Sequence, residues 1–143
     1  MVKCVVFDFD GTLVKSNEIK RRTFYEVTKD IVGANAALNK ILSSPDSGDR
    51  YNIFDVLIAE LKLVDEVHVS ALQLSDSYTK ICEYQISRAP EINGTTKTIE
   101  GLKKLGIKVF ISSATPENTL KKIISMRGWK DMINMALGSP DSK

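Results

Sequence analysis

Apolar residues along the chain follow two different periods, and the change between them predicts how the chain is organised. Residues 2–9 form a short, nearly continuous apolar run rich in valine and phenylalanine, which predicts a strand covered on both faces, as in a parallel sheet. Between residues 16 and 90 apolar positions recur at helical spacing, separated by breaker-rich stretches. The spacing predicts helices over 16–32, 36–42, 50–62 and 65–87, with Ser16 as the N-cap of the first and Gly33 at its end.

Beyond residue 95 strand and helix patterns alternate. We expect a helix over 96–105, a buried strand over 107–112, a helix from Pro116 to about 127 and a third strand over 133–137. This alternation predicts an α/β fold, a doubly wound parallel sheet with right-handed crossovers. The sequence therefore predicts a core domain of residues 1–15 and 91–143, with residues 16–90 inserted as an all-helical domain.

Two carboxylates, Asp8 and Asp10, lie where the first predicted strand ends. Open α/β sheets bind ligands at the carboxyl ends of their strands, and Gly11 allows the backbone to turn away at once. A fold gains nothing from two like charges at a strand end. The pair therefore indicates a functional site.

The stretch Asp8-Phe9-Asp10-Gly11-Thr12-Leu13 resembles the first motif, DxDGT, of the haloacid dehalogenase-like superfamily, in its Mg-dependent phosphatase branch. The resemblance implies that Asp8 is a nucleophile that forms an aspartyl-phosphate and that Asp10 is the general acid and base. It also implies Mg²⁺ as the cofactor, bound by Asp8 and the backbone carbonyl of Asp10, with Gly11 and Thr12 beside the phosphate. Elementary chemistry agrees, since a carboxylate attacks phosphorus only if a hard cation screens the charge repulsion.

The segment that follows the second predicted strand, Ser112-Ser113-Ala114-Thr115, resembles the second motif of this family. By that resemblance the Ser113 hydroxyl and the Ala114 N–H hold the phosphoryl group, with Ser112 as the rival assignment. The end of the chain, from Gly138 to Lys143, resembles the third motif, in which Lys143 pairs with the nucleophile and the phosphate. The alternative for Lys143 is a terminal lysine exposed to water.

Residues 16–90 match the helical cap of this family, which implies a small phosphorylated metabolite as substrate, such as a sugar phosphate or a phosphoglycolate-like acid. Asp10 favours phosphate over halide chemistry, because dehalogenases of the superfamily need no leaving-group acid. A phosphomutase of the same fold stays an alternative. A phospho-acceptor receiver domain is disfavoured, because Ser113 follows Asp8 only after the helical insertion.

Family members continue past the third motif with a further strand and an acidic fourth motif. We therefore expect the chain to be a C-terminally truncated phosphatase, with weaker metal binding because one carboxylate is missing. We also expect its first strand to be an open edge. A catalytically impaired fragment that only binds Mg²⁺ or phosphate is thus a serious alternative.

Bulk properties narrow the remaining function classes. The 143 residues are 43% apolar and 27% charged, which is typical of a soluble globular protein. A net charge of +2 from 20 basic and 18 acidic residues gives no case for nucleic acid or a membrane as partner, and the sequence carries no signal for oligomeric state. An apolar run of about 18 residues and a signal peptide are both missing, and Cys4 and Cys82 have no metal-binding spacing, so we expect a reduced, cytoplasmic protein.

Overall fold

The structure is a computed structural model that describes residues 2–63 and 70–140. Its strands and helices follow the predicted order along the chain. They are β1 (Cys4–Phe7), α1 (Asn17–Val27), α2 (Ala34–Ile41), α3 (Arg50–Glu60), α4 (Ala71–Arg88), α5 (Thr95–Lys104), β2 (Lys108–Pro116), α6 (Glu117–Met126) and β3 (Met135–Ser139). Two compact units contain these elements: Met1–Ile19 with Glu83–Lys143, and Lys20–Cys82.

The strands form one parallel sheet in the order β1-β2-β3, which confirms the predicted α/β class. Val6 pairs with Phe110, and Phe110 pairs in turn with Met135. β2 extends to Pro116, past its predicted end at residue 112, and its register with β3 shifts between Ser112 and Pro116. The polar segment that we expected after the strand therefore forms the irregular end of the strand itself.

The two faces of the sheet have different surroundings. On one face Val109, Ile111 and Ala136 are buried. Helix α5 packs against β2, and α6 packs against both β2 and β3. On the other face Val6 is 61% exposed and Met135 is 50% exposed. The prediction that the first strand is covered on both faces is therefore wrong for the part of the chain that the structure describes.

β1 also lies at an edge of the sheet. Within residues 2–63 and 70–140, β1 pairs with β2 alone, so one of its edges carries no partner strand. An apolar run such as Cys4–Phe7 is typical of a central strand of a parallel sheet, yet here it lies at the edge. The expectation of an open first-strand edge is thus confirmed.

The unit Lys20–Cys82 is built around three aromatic rings. Phe24, Phe54 and Tyr78 are all buried, and their ring centroids lie 4.4 to 6.1 Å apart in tilted and edge-on geometries, the arrangement that aromatic quadrupoles favour. On α3 the side chains of Phe54, Leu57 and Ile58 are buried, as the apolar positions at helical spacing in residues 50–62 lead us to expect.

Helix α1 ends earlier than we predicted. It stops at Val27 rather than at Gly33, and Gly33, with a φ of 83°, forms the N-cap of α2 instead. A positive φ is open to glycine at no steric cost, so the residue marks the start of the next helix. Residues 64–69, which include His68 and the start of the fourth predicted helix, lie outside the described residues.

Cys4 is exposed on β1 and Cys82 is buried on α4, and both are free thiols.

We found no helix in residues 2–63 and 70–140 whose length and apolar character suit it to span a lipid bilayer.

Candidate active site

A tight turn carries the two carboxylates away from β1. Asp8 follows Phe7 directly and is exposed, Phe9 is fully buried, and Asp10 is half-buried. The Phe9 carbonyl accepts the N–H groups of Leu13 at 3.0 Å and of Val14 at 3.3 Å. Because the Phe9 side chain lies in the core, the turn is fixed between the two acidic residues.

Gly11 is the residue that allows this turn. Its φ is 72°, and its N–H donates to the Val14 carbonyl at 2.8 Å. A Cβ at this position would collide with the side-chain amide of Asn17. The backbone conformation therefore favours glycine, as the sequence suggested.

The Asp10 carboxylate accepts hydrogen bonds from three hydroxyl groups. Ser16 Oγ donates to Oδ1 at 2.6 Å, whereas Ser113 Oγ at 3.3 Å and Thr115 Oγ1 at 2.9 Å donate to Oδ2. Ser16 follows the turn, and the other two lie at the end of β2. Parallel pairing of β1 with β2 places both strand ends at the same edge of the sheet, which is why residues so distant in sequence meet there.

The end of β2 is held from the β3 side. Ser139 Oγ donates to the Ala114 carbonyl at 2.9 Å. A Cβ on Gly138 would lie 2.5 Å from the Thr115 carbonyl oxygen and 2.6 Å from the Glu117 nitrogen. Only glycine therefore lets β3 approach this closely to the turn that leads from β2 into α6.

A second segment ties the turn after β1 to the rest of its unit. The Leu13 carbonyl accepts from the Ile92 N–H at 2.9 Å and from Thr95 Oγ1 at 3.0 Å. The Lys15 N–H donates to the Pro90 carbonyl at 3.0 Å. These bonds hold residues 13–15 against residues 90–95. They therefore stabilise the turn that carries the two carboxylates.

Arg127 anchors the chain just before that second segment. Its Nη1 donates to the carbonyls of Ile86 at 2.9 Å, Ser87 at 3.3 Å and Ala89 at 2.7 Å. A cation at the C-terminal end of a helix also interacts favourably with the helix dipole. Burial lowers the pKa of the Arg127 guanidinium, and the charge of Glu91 acts in the opposite direction.

The structure brings some of the predicted site residues together and leaves others apart. Asp10 and Ser113 are in hydrogen-bond contact, and the rival Ser112 is exposed and pairs in register with Leu137. Thr12 and Ala114 are both exposed. Lys143 lies outside the described residues.

Two residues of this cluster were missed by the sequence reasoning. Ser16 was interpreted only as a helix cap, but its fully buried hydroxyl donates to Asp10. Thr115 was not considered, although it is 4% exposed and bonded to the same carboxylate. Its position two residues after Ser113 is the signal that could have found it, because alternate residues of a strand share a face.

The oxygen atoms at and near Asp8 are of the type that binds a hard cation. Carboxylate and carbonyl oxygens are the ligands that Mg²⁺ binds, and Asp8 offers an exposed carboxylate at the strand end. The Asp10 carboxylate accepts three hydroxyls, and its backbone carbonyl is the ligand that the family resemblance implies. No group of three or more His, Cys, Asp or Glu residues suited to a metal occurs among the described residues.

The family model for haloacid dehalogenase-like hydrolases matches residues 2–143. The chain belongs to this family. This haloacid dehalogenase-like hydrolase is 27% identical over 143 residues to a phosphoglycolate phosphatase from Psychrobacter arcticus. That match covers 94% of this chain and 60% of the relative.

Solved structures share the fold of this haloacid dehalogenase-like hydrolase. A beta-phosphoglucomutase candidate from Thermotoga maritima superposes with a TM-score of 0.70 at 16% identity, over 99% of this chain and 63% of its own. CbbY from Rhodobacter sphaeroides in complex with xylulose-(1,5)bisphosphate gives 0.67 at 14% identity, over 100% and 67% of the two chains. The chain thus spans about three fifths of the length of the phosphatase relative.

Proposed function

We propose that the protein is a Mg²⁺-dependent phosphomonoesterase that acts through an aspartyl-phosphate on Asp8. The observation that supports this most directly is the division of environment between the two carboxylates. Asp8 is exposed at the end of β1, whereas Asp10 is half-buried and held by Ser16, Ser113 and Thr115. One carboxylate is open to attack a substrate, and the other is fixed in place.

This difference suits the two chemical roles. The Asp8 carboxylate would attack phosphorus, forming a new O–P bond as the bond to the leaving alkoxide breaks. Asp10 would give its proton to that alkoxide and then take a proton from the water that hydrolyses the acyl-phosphate. A bound Mg²⁺ would screen the repulsion between the Asp8 carboxylate and the phosphoryl oxygens.

The other predicted residues would bind the phosphoryl group or cover the site. The Ser113 hydroxyl and the Ala114 N–H would hold the transferring phosphoryl group, Gly11 and Thr12 would lie beside it, and Lys143 would balance its charge. Residues 16–90 would act as a cap that excludes water from the intermediate. A cap over the site favours a small phosphorylated metabolite as substrate, and the phosphoglycolate phosphatase relative points to the same class.

Phosphate release from p-nitrophenyl phosphate tests the proposal. We expect turnover with Mg²⁺ that EDTA abolishes, and we expect Asp8→Asn to reduce kcat by about a thousandfold or more, since the nucleophile is lost. Asp55→Asn is the matched control, because it makes the same change at an exposed carboxylate of α3. Phosphoglycolate and a sugar phosphate would follow as candidate substrates.

Two results of this assay would contradict the proposal. Turnover that persists in Asp8→Asn, or that is unaffected by EDTA, would contradict the aspartyl-phosphate mechanism. A wild-type chain that binds Mg²⁺ and phosphate without turnover would instead support the impaired-fragment alternative. The edge position of β1 favours that alternative as the second candidate.

A further inference from the structure

Two hydroxyl groups donate to the same oxygen of Asp10. Thr115 Oγ1 donates to Oδ2 at 2.9 Å, and Ser113 Oγ donates to the same atom at 3.3 Å. Ser16 Oγ holds the other oxygen, Oδ1, at 2.6 Å. The carboxyl group is therefore held at both of its oxygens.

The two hydroxyls on Oδ2 differ in how firmly they are placed. Thr115 is 4% exposed, and its β-branched side chain has few rotamers. Ser113 is half-buried, makes the longer bond, and also accepts the Thr115 N–H at 3.1 Å. Ser113 can reorient more freely than Thr115.

A hydroxyl group has a single proton to donate. If Ser113 donates to a phosphoryl oxygen, as its proposed role requires, it cannot donate to Asp10 at the same time. Asp10 would then lose the Ser113 bond on Oδ2 when substrate binds. Thr115 and Ser16 would still hold one oxygen each.

We propose that Thr115 is a positioning residue that holds the Asp10 carboxyl group in place when the Ser113 hydroxyl turns to the phosphoryl group. This inference rests on the proposed phosphatase function and adds a division of labour at the end of β2. Ser113 binds the phosphoryl group of the substrate, and Thr115 positions Asp10, the general acid and base.

The packing around Thr115 suits a fixed support. Its carbonyl oxygen lies so close to Gly138 that a Cβ there would approach it to 2.5 Å. The neighbouring Ala114 carbonyl is bonded to Ser139 Oγ at 2.9 Å. β3 thus holds the backbone of Thr115 on one side while its hydroxyl reaches Asp10 on the other.

Substitution of the two hydroxyl residues separates the two roles. Thr115→Val has nearly the same shape and removes the donor. We expect it to lower kcat with p-nitrophenyl phosphate about tenfold or more, with KM and the Kd for inorganic phosphate close to wild type. Ser113→Ala should instead weaken phosphate binding, measured by titration calorimetry.

Two further variants control the comparison. Thr115→Ser restores the donor, so we expect it to recover most of kcat. Thr28→Val makes the same change at a buried threonine whose hydroxyl donates to the Phe24 carbonyl at 2.8 Å, and it should leave kcat unchanged. If Thr115→Val does not fold, Thr115→Ala removes the same hydroxyl.

Wild-type kcat in the hydroxyl-free variants, or no recovery in Thr115→Ser, would overturn the inference. A loss of phosphate affinity in Thr115→Val as large as that in Ser113→Ala would overturn it too. If the wild-type chain shows no turnover, the proposed function fails separately, and crystal structures of the variants decide. An Asp10 rotamer that changes in Thr115→Val and returns in Thr115→Ser supports positioning, whereas an unchanged rotamer in Thr115→Val overturns it.

Discussion

Arg127 offers the sharpest test of how the segment before the site is held. The side chain donates to three backbone carbonyls, those of Ile86, Ser87 and Ala89, and its guanidinium lies 4.7 Å from the centroid of the Trp129 ring. Arg127→Met keeps the length and the apolar stem of the side chain but removes the charge and every donor. We expect this change to destabilise the protein.

The magnitude follows from the individual contacts. The bonds of 2.7 and 2.9 Å are each worth about 1.5 kcal/mol, as hydrogen bonds that involve a charged group. The ring contact adds about 0.5 kcal/mol. Desolvation offsets part of this gain, because Nε is buried without a partner among the described residues and burial lowers the pKa of the Arg127 guanidinium. The free energy of unfolding should therefore fall by about 2 to 3 kcal/mol.

Urea denaturation followed by circular dichroism measures this loss. With a slope of about 2 kcal/mol/M, the midpoint should move down by about 1 M or more. Arg88→Met is the matched control, since Arg88 also lies over a ring, that of Tyr84 at 3.9 Å, and donates to the Tyr84 carbonyl at 3.2 Å, but is exposed. It should change stability by less than about 0.5 kcal/mol. Equal losses in the two variants would refute the argument that the buried carbonyl contacts of Arg127 carry the stabilisation.

Three other substitutions test local features of the same unit. Gly138→Ala would place a Cβ 2.5 Å from the Thr115 carbonyl oxygen, so we expect a loss of about 1 to 3 kcal/mol in urea denaturation. Gly101→Ala, at a site in α5 with nothing within 4 Å, should raise stability by up to about 1 kcal/mol, and a loss there as large as at Gly138 would contradict the steric argument. The pKa of Glu117 is lowered chiefly by its hydrogen bond from Lys121, so Lys121→Met should raise that pKa in an NMR titration. Because the pKa is depressed in the folded state, the pair stabilises the protein at neutral pH and loses its effect as the pH falls through the folded pKa, and an unchanged Glu117 titration would show that Lys121 is not the cause.

Much of the fold could be predicted because its signals are local. Buried strands and amphipathic helices leave different periods in the sequence, and the order of elements follows from them. The exposure of β1 could not be predicted from its own residues, because the apolar run at Cys4–Phe7 is typical of a central strand. Whether its two faces are covered depends on the elements that pack against them, and those elements are not encoded in the strand itself.

The end of α1 shows a similar limit. A glycine with positive φ can close one helix or open the next, and the sequence around Gly33 does not distinguish the two. The helix stops at Val27, and the Thr28 hydroxyl then donates back to the Phe24 carbonyl at 2.8 Å. Phe24 packs against Phe54 and Tyr78 in the aromatic cluster, a tertiary contact that helical spacing alone does not locate.

The hydroxyls around Asp10 show where a local rule could have gone further. Four small residues, 112–115, lie just before the end of β2 at Pro116, whereas we predicted that the strand ends at residue 112. Had the strand been extended to Pro116, its period of two would have placed Ser113 and Thr115 on one side, and Ser112 and Ala114 on the other. The structure has this arrangement, since the first pair bonds to Asp10 and the second pair is exposed. A strand that ends in alternating hydroxyl residues therefore presents two donors to the same ligand edge, and in this chain the second of them meets the carboxylate at the shorter distance.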